Sequence, residues 1–228
     1  MMGDLGGLLF GITIWAIPLI FAVTLHEAAH GYAARACGDD TAERLGRISL
    51  NPLRHIDPFG TIILPGLLLA MGGVMFGWAK PVPVNFNRLR NPRRDMVIVA
   101  AAGPAMNMGL AILAVLAVRL VPVLPEAVRG WYFLNLDNAI YFNLLLAVFN
   151  MIPIPPLDGG RVAVGILPRP LARRLAGMEK AGMLILIAAL FLFPLLGSKI
   201  GMDLDVFRWL VQGPVDAIGG FLVRTLGP

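Results

Sequence analysis

The chain has 228 residues and a mass of 24.5 kDa, and 57% of its residues are hydrophobic while only 14% are charged, against roughly 25% charged in an average soluble domain. So little charge cannot cover a water-facing surface, and a mean hydropathy of +0.76 points to lipid as the solvent, which excludes a soluble globular protein. The net charge of +5 and a pI near 10.0 do not imply a nucleic-acid partner, because the basic residues sit between apolar runs and act as topology markers.

Uncharged runs of membrane-spanning length occupy 5–25, 60–79, 96–118, 138–157 and, slightly shorter, 181–198, each comparable with the roughly 20 residues a helix needs to cross a bilayer. Residues 1–25 hold no Lys or Arg, so the first run lacks the basic flank of a signal peptide and is expected to stay as a span. The single cysteine, Cys37, excludes an internal disulfide and a Cys-rich metal site; packing is its expected role. Nine basic residues fall in 34–95 and five in 158–180, but only Arg119 and Arg129 separate the third and fourth runs. The first two regions are therefore expected on the cytoplasmic side, with the N-terminus outside. A full crossing by 60–79 would strand the basic residues of 80–94 outside, so this run reads as a re-entrant segment broken near Pro65-Gly66. The stretch 203–226 mixes apolar residues with Asp205, Arg208, Asp216 and Arg224 and fits either an interfacial helix or a poor sixth span. The expected architecture is an all-α polytopic membrane protein of about 4–6 transmembrane helices, forming a single domain over 1–228 with its core in 8–165 and C-terminal helices in 166–228.

The chemistry begins at the inner end of the first run, with Leu25-His26-Glu27-Ala28-Ala29-His30. At about 100° per residue the imidazoles of His26 and His30 lie roughly 40° apart and one turn along a helix. They can share one Zn2+ ion, with Glu27 placed to act as general base. Ionisable groups beside an apolar span are expensive unless they pair or bind something. A catalytic zinc usually takes three protein ligands and keeps its fourth position for water, so a carboxylate is needed. Asp158, in NMIPIPPLDGG (150–160), is the favoured candidate. Prolines 153, 155 and 156 end the preceding helix, and Gly159 and Gly160 permit a tight turn toward the bundle. His55 or Asp57, in NPLRHIDP (51–58), are the rivals. Topology offers an independent criterion: His30 and Asp158 can meet only if the first and fourth runs end on the same membrane side. That holds when 96–118 crosses and 60–79 does not.

HEAAH on an early helix and NMIPIPPLDGG on a later one resemble the site-2 protease family of intramembrane zinc metalloproteases. NPLRHIDPFG (51–60), FGWAKPVPV (76–84) and AGPAMN (102–107) extend the resemblance to its compact branch over about residues 8–165. It implies that His26, His30 and Asp158 hold one zinc per chain, that Glu27 is the catalytic base, and that Asn150 helps bind the substrate carbonyl or oxyanion. The PDZ and CBS domains of larger members have no space in this chain.

Beside that resemblance, the residues carry readings of their own. An amide at Asn150, just before the prolines, can donate toward a metal site or make a helix-helix hydrogen bond. Gly103 and Pro104 favour close packing or a kink; Asn107 is a substrate-binding candidate that equally suits tying its helix to the site. His55 is either a substrate contact or a satisfied structural histidine. Asn91-Pro92 reads as an N-cap followed by an N1 proline. Trp78–Val84 cannot be a central strand because Pro81 and Pro83 lack donors, but an extended edge segment tolerates them, so Val82 and Val84 are expected to pair with an unwound substrate. The expected partners are a transmembrane protein or peptide substrate and the lipid bilayer, with no nucleic acid, in a bacterial or archaeal cell membrane with the site opening to the cytoplasm. The alternative is a non-hydrolytic zinc sensor, carrier or structural site, against which an intact Glu27 argues, since a structural site needs no base.

Overall fold

The computed structural model describes residues 2–55, 57–63 and 80–228. Helix α1 (Met2–Ala36) is followed by a single helical turn (Thr41–Arg44), then α2 (Pro92–Ala117), α3 (Glu126–Asn150), α4 (Asp158–Ile166), α5 (Arg169–Ala176), α6 (Glu179–Ile187), α7 (Phe193–Ile200) and α8 (Gly213–Leu226). No strand occurs among the described residues. Among the described residues, four stretches are long and apolar enough to cross a bilayer: Leu9–Ala36, Pro92–Val123, Glu126–Asn150 and Glu179–Lys199. The chain is thus an all-α polytopic membrane protein. Of the re-entrant reading of 60–79, Pro58–Ile63 forms a wide π-type turn; the remainder, Pro65-Gly66 included, lies outside the described residues, as do Trp78 and Ala79.

One expected boundary shifts, and one expected cap is made differently. The fourth run, read as 138–157, is helical from Glu126 to Asn150, because Pro153, Pro155 and Pro156 withhold the amides that would continue it. Near its start Arg129 turns back to the carbonyls of Pro122 (3.3 Å) and Leu124 (3.0 Å). At the start of α2, Pro92 occupies the first turn as expected, but the Asn91 side chain makes no cap. Asp95 instead accepts from the Asn91 N–H at 2.7 Å.

Helices α1, α2 and α3 pack on one another pairwise, and α4 packs on α2. Gly38, at φ +108°, ends the α1 segment in the left-handed region that favours glycine, and the Arg90 guanidinium takes the Ala36 carbonyl at 3.0 Å. Cys37 is half-buried beside a small cluster of Ala34, Leu89 and Val99, the packing role expected of it. A second cluster joins Ala111 and Val115 of α2 and Leu144 of α3 to Val211, Val215 and Leu222.

The C-terminal stretch therefore belongs to the bundle. Helix runs from 206 through a wide turn (Arg208–Gln212) into α8. Tyr141 meets Gln212 at 3.2 Å, while Arg119, at the far end of α2, holds the carbonyls of Leu226 (3.0 Å) and Gly227 (3.2 Å). Those two anchors set 206–226 antiparallel to α3 and, at 1.5 Å per residue, about 30 Å long. Its charges had hidden it: Arg208 pairs with Asp203 and Gln212 with Asp216.

Candidate metal centre

Helix α1 continues unbroken through HEAAH, so His26 and His30 project from one face onto α2. Their rings meet edge to face with centroids 4.7 Å apart, and both residues are buried. The His26 Nδ1 lies 2.6 Å from the Asn107 Oδ1. The Asn107 Nδ2 donates to the Ala22 carbonyl (3.1 Å) and to the Asn143 Oδ1 (2.8 Å). Because that amide nitrogen is committed, its oxygen must accept, so the proton of His26 sits on Nδ1. The His30 Nδ1 likewise donates to the Val99 carbonyl at 2.7 Å, since a carbonyl can only accept. Both Nε2 atoms are thereby left as lone-pair donors, the arrangement a metal-ligating imidazole requires.

Those two Nε2 atoms are 3.0 Å apart, and the Asp158 Oδ2 lies 3.3 Å from that of His26 and 3.2 Å from that of His30. A tetrahedral zinc with bonds of about 2.0–2.1 Å separates its nitrogen and oxygen ligands by about 3.3–3.4 Å. The triangle fits that ion, and three electron-rich atoms so close repel one another unless a cation lies among them. Among the described residues, this trio is the group of His, Cys, Asp and Glu side chains able to share a metal. The rivals sit elsewhere: the Asp57 carboxylate accepts from the Gly60 N–H at 2.7 Å, and His55 bonds the Ser49 carbonyl through Nε2 at 2.8 Å.

Asp158 reaches this point because it opens α4 directly after the proline-rich bend. Gly159 and Gly160 serve the bend by closeness and not by a left-handed backbone: neither has positive φ, yet a Cβ would lie 2.2 Å from the Met151 carbonyl oxygen at Gly159 and 2.3 Å from the Pro155 nitrogen at Gly160. Gly182 of α6 closes the bend from outside, where a Cβ would fall 1.8 Å from the Pro155 oxygen.

A cavity of about 360 Å³ adjoins the trio, lined among others by Glu27, Val82, Val84, Asn150 and Arg161. The Glu27 Oε2 accepts the Val82 N–H at 2.7 Å, which aims the carboxylate beside the metal position. Asn150 spends one amide hydrogen on the Leu146 carbonyl of its own helix (3.1 Å) and faces the cavity. Asn107 is fully buried behind His26 and does not line the cavity. Neither does His55, which is buried and also receives the Lys80 N–H on its carbonyl at 2.9 Å.

Three contributors, Asn143, Arg161 and Asp39, were not foreseen, and Gly103 was expected to favour close packing or a kink but not to face the site. Asn143 lay in plain view as a polar residue inside an apolar run, two turns before Asn150. Arg161 follows Asp158 by three residues, one helical face, and its guanidinium lies 5.7 Å over the Phe86 ring. Asp39, fully buried, accepts from the Thr41 amide (3.0 Å) and hydroxyl and from the Asn85 amide (2.6 Å), tying the end of α1 to the segment that carries Val82. Gly103 presents bare backbone to the imidazoles: a Cβ there would sit 2.4 Å from the His30 Nε2 and 2.6 Å from that of His26.

A family model described as Peptidase family M50 matches residues 14–130 and 127–195. The chain is 39% identical over 188 residues to YwhC of Bacillus subtilis, covering 81% of this chain and 82% of that one. It is 32% identical over 210 residues to Rip2 of Mycobacterium tuberculosis, covering 90% and 77%. Both relatives bear the name "putative zinc metalloprotease". No solved structure matches the chain.

Proposed function

Because the chain belongs to peptidase family M50, the site-2 protease family, we propose that it hydrolyses peptide bonds within or near transmembrane segments of other membrane proteins. Coarsely, it is a membrane metalloprotease whose cofactor is zinc. In the proposed site His26, His30 and Asp158 hold one zinc per chain and Glu27 is the general base. The observation that carries this reading is the ligand triangle beside a carboxylate that is oriented by a backbone amide and opens on a cavity.

When bound there, zinc supplies Lewis-acid polarisation of a carbonyl and makes water acidic near neutral pH. Glu27 accepts the water proton. Its Oε2 is fixed by Val82, so the proton is held at Oε1 and passed to the leaving amine. The Asn150 amide retains a hydrogen for the carbonyl oxygen. Ala28 and Ala29, both buried, keep bulk away from the metal position.

The segment 80–85 supports substrate pairing through its alternation. Lys80 and Val82 precede prolines and are held extended. In an extended chain residues two apart present their backbone groups on one edge. The Val82 N–H points to Glu27, so the Val82 carbonyl and the Val84 N–H share the edge facing the cavity, while Pro81 and Pro83 put their missing donors on the other. An unwound substrate strand therefore adds on the cavity edge. It must be unwound, because helical carbonyls are already hydrogen-bonded. Basic residues of 34–95 and 158–180 surround the end of the bundle that holds the site, which favours a cavity opening to the cytoplasm of a bacterial or archaeal cell.

The test is zinc content together with cleavage of a transmembrane peptide by wild type, Glu27→Gln and Asp158→Asn. Glu27→Gln is expected to keep zinc and lose about 10²–10⁴ in rate, whereas Asp158→Asn loses the metal. Undiminished cleavage by Glu27→Gln would remove the base assignment. Full zinc without cleavage by any form, wild type included, would favour the non-hydrolytic zinc-binding alternative.

A further inference from the structure

Away from the metal, the loop after α1 folds back against the start of the extended segment and leaves an open basin of about 390 Å³, lined by Leu45, Gly46, Arg47, Leu53, Arg54 and Lys80. We propose that this basin binds the phosphate of an anionic phospholipid headgroup.

The basin is cationic. Arg47 reaches the carbonyls of Arg54 (2.8 Å) and Lys80 (3.2 Å), and Arg54 reaches that of Gly46 (2.8 Å). These carbonyls orient the guanidinium groups without neutralising them. Three basic residues nearby are matched: Arg35 with Glu43 at 3.0 Å, Arg44 and Arg88 with Asp40 at 2.7 and 3.1 Å. Arg47, Arg54 and Lys80 form no ion pair among the described residues, so three cations share one basin and the carboxylates nearby in sequence are already engaged. The donor forks of arginine match phosphate oxygens in geometry as well as charge.

The rim of the basin is apolar. Leu45 and Leu53 are 63% and 71% exposed, beside the cations. Aliphatic side chains at that exposure suit acyl chains and glycerol better than water. The basin also lies just beyond Ala36 and before Pro92, the ends of two candidate spans, which is headgroup depth. A free phosphate would leave the leucines uncovered, so the lipid is the source the rim favours.

The third observation links the basin to the site without depending on its chemistry. Arg47 holds the Lys80 carbonyl, and two residues on the Val82 N–H holds Glu27. A headgroup on Arg47 and Lys80 would thus brace the segment that orients Glu27.

The experiment uses the full chain, delipidated in detergent, with phosphatidylglycerol, phosphatidylcholine and inorganic phosphate as separate probes and bound lipid read by native mass spectrometry. Phosphatidylglycerol is expected to be retained at least tenfold over phosphatidylcholine. Lys80→Gln, whose ammonium forms no hydrogen bond or ion pair among the described residues, is expected to lower that preference about fivefold, the worth of one interfacial cation, and Arg54→Gln to do so similarly. Arg129→Gln, near the opposite end of the bundle, should leave it unchanged. Equal retention of the two lipids, or a preference untouched by Lys80→Gln, would overturn the proposal. Inorganic phosphate binding as tightly as phosphatidylglycerol would overturn the lipid assignment. Because no step requires cleavage, failure here is distinguishable from failure of the protease reading.

Discussion

Replacing Gly103 with alanine adds a single methyl group, yet it strikes the centre of the site. The new Cβ would lie 2.4 Å from the His30 Nε2, 2.5 Å from the His26 Cε1 and 2.6 Å from the His26 Nε2, where ordinary contact needs about 3.5 Å. About 1 Å must therefore be found, either by moving the imidazoles or by moving α2. Neither is free. The Val99 carbonyl, one turn before Gly103, and the Asn107 side chain, one turn after, hold the two Nδ1 atoms at 2.7 and 2.6 Å. Retreat of α2 would stretch both bonds past about 3.5 Å, beyond useful hydrogen-bond geometry. Swinging the rings would instead open the ligand triangle. Overpacking of this kind costs about 1–3 kcal/mol in stability, and misplacing a reacting geometry by 1 Å costs about 100-fold in rate. The expected outcome for Gly103→Ala is a helical protein with zinc well below one per chain and cleavage down at least about 100-fold. The control is Gly109→Ala on the same helix, where a Cβ meets nothing within 4 Å and the change should be neutral or slightly stabilising. Metal analysis, circular dichroism and a peptide-cleavage assay read all three quantities. A Gly103→Ala protein with full zinc and wild-type rate would refute the placement of α2 against the imidazoles.

Val82→Pro removes the one amide that Glu27 accepts while keeping the segment extended; zinc content should hold and kcat fall about tenfold or more, the scale of a lost orienting hydrogen bond to a charged group. Asn107→Leu deprives His26 of its Nδ1 partner and leaves the Asn143 carbonyl oxygen bare, so zinc affinity should drop about 10–100-fold, read by chelator competition. Asp39 tests pH dependence: burial acts to raise its carboxyl, but Thr41, the Asn85 amide and the Arg88 charge hold it below the usual value. A group depressed on folding stabilises above its unfolded pKa, about 3.9, and that stability is lost as pH falls through the folded value. Thermal stability should therefore decline below about pH 4, and Asp39→Asn should be less stable at neutral pH with a flatter acid limb; an unchanged acid limb would count against the clamp.

The sequence made some of this legible because the physics is local. His26 and His30 announce themselves by helical spacing, and the prolines at 153, 155 and 156 mark the end of α3 by withholding donors. Asp158 stood out by its place between the prolines and the paired glycines, and topology agreed with it, since the first and fourth runs then end on one side. What stayed hidden is what depends on partners distant in sequence. Nothing in AGPAMN says that Gly103 faces two imidazoles, because a missing side chain has no signature. The 206–226 helix failed a hydropathy reading for a related reason: Arg208, Asp216 and their neighbours are discounted as charges, although Asp203 and Gln212 answer them within one or two turns. Asn107 is open in the sequence between substrate contact and tying its helix to the site; its full burial and committed amide set it behind the histidine.

That commitment has a direction, and the direction decides the chemistry of the proposed site. At membrane depth a polar group without a partner is costly, so each asparagine hands its donor to the next acceptor. The Asn143 Nδ2 donates to the Ala139 carbonyl at 2.8 Å, an acceptor that cannot reverse. The Asn143 oxygen must then face Asn107, the Asn107 oxygen must face His26, and the proton of His26 must stand on Nδ1. The hydrogen-bond polarity thus runs from a helix backbone in α3 to a lone pair on Nε2. His30 reaches the same state in one step, through the Val99 carbonyl. Both imidazoles are thus held ready for a cation by hydrogen-bond polarity alone, and α2 supplies the final acceptor in each case, which is why the helix that carries no metal ligand governs the orientation of two.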